Sequence, residues 1–112
     1  MECSALTAAA VYNGFDYKPK IGCSGNWGER RHPELFKEIP ASELRPGDFV
    51  SATFGCDVGV TSHIAIVAAP PDANGNIIVY QQSGHGKTSH FAKSKLSRFK
   101  DGNHSRWIGP GL

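Results

Sequence analysis

The chain has 112 residues with 39% hydrophobic and 20% charged side chains, enough apolar material for one buried core and too little length for two. That composition excludes a disordered tail, and a formal net charge of +2 from 12 basic and 10 acidic residues, dispersed along the chain, gives no footprint for nucleic acid. No stretch approaches the roughly 18 consecutive apolar residues of a membrane span, and the first 14 residues lack the basic start and apolar block of a signal peptide.

Residues 3–13 are alanine-rich, carry apolar residues at Leu6, Ala9 and Ala10 and are followed by Gly14, which predicts one buried helix. Between 14 and 40 there is no steady period. Pro33 suits the first turn of a short helical turn over Pro33–Lys37, and the rest of this segment reads as loop. Turn chemistry at Glu43–Asp48 leads into a strand at Phe49–Phe54, rich in β-branched and aromatic residues. His63–Ala68 and Asn76–Gln82 are the next two strands, joined as an antiparallel hairpin by the Pro70–Gly75 turn. Short strands are also predicted at Thr88–Ala92 and Arg106–Ile108. The expected fold class is therefore α+β, one helix packed on a small antiparallel sheet of about four or five strands, with no internal repeat or linker.

A cysteine at the first turn of a helix sits among unpaired backbone N–H groups that favour the thiolate, and Cys3 has that position. A structural cysteine near the chain end is the alternative. His63 opens an apolar strand after a glycine-containing loop, where an imidazole can face a groove and act as base to a thiol. On the following strand Gln81 offers an oxygen to hold the ring, with Ser83 two residues on sharing its face and Gln82 pointing away. Cysteine on a helix, histidine on a strand and a polar residue on the next strand is the order of a Cys-His-polar triad. Trp27 and Tyr12 are candidates for lining a substrate groove, with core packing the leading role for either. Cys23 has no apolar helix behind it and ranks as a loop cysteine. It pairs with Cys56 in an oxidising compartment, or all three cysteines remain thiols. The remaining histidines, His32, His85, His90 and His104, lack paired spacing, so no metal and no cofactor is expected.

With these residues in view the chain resembles the NlpC-like and CHAP cell-wall cysteine peptidases. Glu2-Cys3-Ser4-Ala5-Leu6 is similar to their nucleophile motif, Leu44-Arg45-Pro46-Gly47-Asp48-Phe49-Val50 to the Pro-Gly-Asp that leads into the first strand, and His63-Ile64-Ala65-Ile66-Val67 to the histidine-bearing strand. Val79-Tyr80-Gln81-Gln82-Ser83 resembles the strand supplying the third polar residue, and Trp107-Ile108-Gly109-Pro110 the end of a CHAP domain. The resemblance implies a papain-like core and a single catalytic domain over residues 1–112, trimmed at its N-terminus. It implies a cysteine hydrolase that forms an acyl-enzyme while cutting an amide bond in the peptide stem of bacterial peptidoglycan. Secreted, periplasmic or phage-borne action at the cell wall follows, with an immunity or inhibitor protein as partner if the chain is a toxin. Ala5 in place of glycine, Gln81 in place of His, Asn or Glu, and a missing N-terminal segment depart from the family pattern. A deamidase or acyltransferase toxin with the same core, and an inactive domain that binds wall fragments or protein, are the competing readings.

Overall fold

Alanine-rich sequence without glycine or proline before its last turn forms α1 over Cys3–Phe15, two residues longer than expected. Thr7, Val11 and Phe15, four residues apart, make one row along it. Thr7 and Val11 in that row are buried and Phe15 partly so, which sets the helix face that meets the sheet. The computed structural model describes residues 3–15, 17, 21, 26–52, 63–82 and 89–110, and within α1 the side chains of Cys3, Ser4, Ala5 and Ala8 lie outside that description.

Among the described residues six antiparallel strands form one sheet: β1 (Phe36–Glu38), β2 (Phe49–Ser51), β3 (Ile64–Ala69), β4 (Asn76–Gln81), β5 (His90–Lys95) and β6 (His104–Trp107). Their spatial order is β1-β6-β2-β3-β4-β5, so β2 to β5 is a meander and β6 returns to lie between β1 and β2. The chain is thus α+β as expected, with six strands instead of four or five. The additional strand is β1, where the sequence suggested a helical turn over Pro33–Lys37. Residues 33–35 form a turn, and Phe36 pairs with Trp107 across the sheet. A three-residue strand carries little local signal, and what defines it is a partner about seventy residues away in sequence. β2 covers Phe49–Ser51, with Thr53 and Phe54 of the expected strand outside the described residues, β5 runs further than foreseen, and β6 begins two residues earlier.

Alternate residues of β3 serve two cores. Ile64 and Ile66 join Val11, Trp27, Phe36, Phe49 and Trp107 on the α1 side, while Ala65 and Val67 join Val50, Ile77, Val79 and Phe99 on the other. Burial on both faces explains why His63–Ala68 reads as a nearly continuous apolar run and not as an alternation. A register shift between Val67 and Ala69 marks a bulge in the β3–β4 pairing. Phe99, on the 3-10 turn Leu96–Phe99, closes the second core, and His104 Nε2 donates to its carbonyl at 2.8 Å.

The Pro-Gly-Asp turn is fixed from two directions. Gly47 adopts φ +95°, which a side chain would disfavour. Buried Asp48 accepts from Arg106 Nε at 2.8 Å and Nη2 at 3.0 Å, and also from the Arg45 backbone N–H at 3.0 Å. A fork of this geometry compensates a carboxylate that would be costly to bury alone, and it ties the lead into β2 to β6. No helix among the described residues is long and apolar enough to cross a membrane.

Candidate functional site

His63 is the residue before β3, partly buried, and Gln81 is the last residue of β4. Tyr80 pairs with Ile66 across the hairpin, which brings the end of β4 back to the beginning of β3. There His63 Nε2 and Gln81 Oε1 stand 2.9 Å apart. A carboxamide oxygen only accepts, so the imidazole donates and its proton sits on Nε2. Nδ1 is left as the ring nitrogen able to take a proton from a nucleophile. Gln81 is 9% exposed, which holds this hydrogen bond largely out of competition with water.

A second contact bears on the same amide. Gln81 pairs with His90 across the β4–β5 ladder, and Gln81 Nε2 lies 3.5 Å from His90 Nε2. One residue along, buried Gln82 accepts from Ser89 Oγ at 2.9 Å.

Cys3 is the first residue of α1. At the other end of α1, Phe15 lies beside Gly47, Asp48, Arg106 and Trp107, while Ala10 and Val11 lie near Phe49 and Ile66. From Phe15 back to Cys3 the helix is about 18 Å long at 1.5 Å per residue. β2 and β3 pair over three residues, Phe49 to Ser51 against Ile66 to Ile64. Since α1 ends beside Gly47 and exceeds this paired stretch, its first turn extends toward the end of the sheet where His63 leads into β3. Gln81 continues the Ile77 and Val79 row on the face opposite α1.

Trp27 is 0% exposed and packs against Phe36 and Phe49 at ring-centroid distances of 6.0 Å, which is the core role the sequence also offered for it. Tyr12 is exposed. Ser83, Cys23, Cys56 and His85 lie outside the described residues. His90 is the residue that sequence reasoning missed: without spacing to another histidine it looked incidental, and only its register opposite Gln81 reveals it.

A cavity of about 480 Å3 lined by Asn74, Gly75, Lys95, Leu96, Lys100 and His104 lies at the far end of β4 from Gln81 and has no part in this arrangement. Compared with protein-family models, with curated proteins and with solved structures, the chain gives no match.

Proposed function

We propose that the chain is a cysteine hydrolase with a papain-like core of the NlpC and CHAP kind, cutting an amide bond in the peptide stem of bacterial peptidoglycan. The observation that carries this reading is the 2.9 Å hydrogen bond from His63 to Gln81. It joins two residues selected from the sequence for complementary roles, and it leaves the other ring nitrogen for a thiol. Cys3 at the opening of α1 supports it, because helix-start N–H groups favour a thiolate.

In this mechanism His63 Nδ1 takes the proton of the Cys3 thiol, and Sγ attacks the amide carbonyl carbon. The Cys3 backbone N–H donates to the developing oxyanion. His63 then gives its proton to the amine nitrogen as the C–N bond breaks, leaving a thioester. Water attacks the thioester carbonyl, its proton passing to His63, and the thiol returns as the carboxylic acid leaves. Throughout, Gln81 accepts from Nε2–H and keeps the imidazole in one tautomer and one orientation. The enzyme would act at the cell wall, as a secreted, periplasmic or phage-borne protein. An immunity or inhibitor protein is its partner if it serves as a toxin.

Digestion of purified peptidoglycan by the wild-type chain and by Cys3→Ala, with fragments identified by mass, tests the proposal. Fragments from the wild type alone are expected, and their masses name the bond. Equal release by both proteins, or none by either, would overturn it.

A further inference from the structure

We infer that His90 is a positioning residue for the same site: it holds the Gln81 carboxamide the one way round that lets His63 carry a second proton. This inference rests on the reading of His63 as the catalytic base. A glutamine amide presents an acceptor on one arm and donors on the other, and exchanging them changes its shape very little. The neighbours decide the orientation.

With Oε1 toward His63, as found at 2.9 Å, the imidazole donates from Nε2. It keeps that bond when Nδ1 also becomes protonated, so the imidazolium formed during thiol activation is stabilised by a charge-assisted hydrogen bond. With the amide reversed, N–H groups would face Nε2, the ring proton would be driven to Nδ1, and an imidazolium would meet a donor. The same side chain in the same place would then oppose catalysis.

His90 supplies the asymmetry. Its Nε2 stands 3.5 Å from Gln81 Nε2, a long contact that is favourable only if His90 offers a lone pair there and carries its own proton on Nδ1. The chain of donors then runs in one direction, from His63 Nε2–H to Gln81 Oε1 and from Gln81 Nε2–H to His90 Nε2. Each bond polarises the next. The geometry comes from the backbone, because Gln81 and His90 are directly paired residues on β4 and β5 and their side chains leave the sheet on one face.

Nitrogen-15 NMR of the His63 ring, in the full chain without substrate, reads this directly. Wild type should show the Nε2–H tautomer. In His90→Lys, which has only donors to offer, the Gln81 amide should turn. The His63 pKa should fall by about one unit, with about a tenfold loss of imidazolium at a fixed pH above it. His90→Gln, which restores an acceptor, should return both the tautomer and the pKa to within about a factor of two of wild type. Because the lysine variant can unfold, His90→Leu serves as a second probe and should give a mixture of His63 tautomers. An unchanged His63 tautomer and pKa in folded His90→Leu would overturn the inference. So would equal losses in His90→Leu and His90→Gln, which would indicate a merely structural side chain. Neither readout involves peptidoglycan, so failure of the proposed hydrolase, seen as absence of Cys3-dependent fragments, is a separate result.

Discussion

Gln81 gives His63 an acceptor without a charge, and this sets how strongly the imidazolium is favoured. A carboxylate in the same place would add coulombic attraction to the hydrogen bond and raise the histidine pKa. For a pair 2.9 Å apart, Gln81→Glu is expected to move the alkaline limb of Cys3 alkylation by iodoacetamide to higher pH. An unmoved profile would mean that the ring is not electrostatically coupled to position 81. Gln81 was legible in the sequence because a hairpin with a recognisable turn brings the end of β4 back beside the histidine that precedes β3. Trp27 was less so, since an aromatic residue in a glycine-rich loop reads as core or as a groove wall until the strands beneath it are known. His90 was hidden for a related reason: its significance is a register, and register belongs to two strands at once.

Among the elements, the β3–β4 hairpin has a locally determined turn. Its turn is organised by Asp72, whose Oδ1 accepts from the backbone N–H of both Asn74 and Asn76 at 2.9 Å, with Gly75 at φ +75°. The hydrogen bond from Asn76, and then that from Asn74, holds the Asp72 carboxyl below its ordinary value of 3.8. A carboxyl with a depressed folded-state pKa stabilises the turn above its unfolded value and loses that contribution as the pH falls through the folded value. Hydrogen exchange at the Asn74 and Asn76 amides should therefore lose protection on going from pH 5 to pH 2, once the intrinsic pH dependence of exchange is removed. Asp72→Ala should abolish the difference. Equal sensitivity in the variant would dissociate the carboxylate from the turn. Elements of this kind, together with the alanine-rich helix, were readable because their causes are local. β1 was not, because its three residues become a strand only through β6.

For the molecule as a whole, Trp107 is where the distant parts meet. Its ring is 5.5 Å from Phe15 of α1, 5.5 Å from Phe36 of β1 and 5.6 Å from Tyr17, and it is 4% exposed. Replacing it removes contacts to the helix, the sheet and the intervening loop together. Trp107→Ala is expected to cost about 3–5 kcal/mol, a large share of the roughly 5–15 kcal/mol that holds such a domain folded. Urea unfolding followed by circular dichroism measures it, and a cost below about 1 kcal/mol would place the stabilising contacts elsewhere. The general class, one helix on an antiparallel sheet, was visible from patterning and turn residues. The order of strands was not, because nothing in the local sequence says that the last strand enters the middle of the sheet.

That entry separates order of synthesis from order in space. β1 and β2 leave the ribosome early, yet the backbone edges they present to each other stay unpaired until His104–Trp107 has emerged to fill the gap. A nascent chain interrupted before that point leaves β1 and the facing edge of β2 unpaired and lacks the Trp107 ring on which Phe15 of α1 stacks. Synthesis through Trp107 is thus the point at which β1 can join the rest of the sheet.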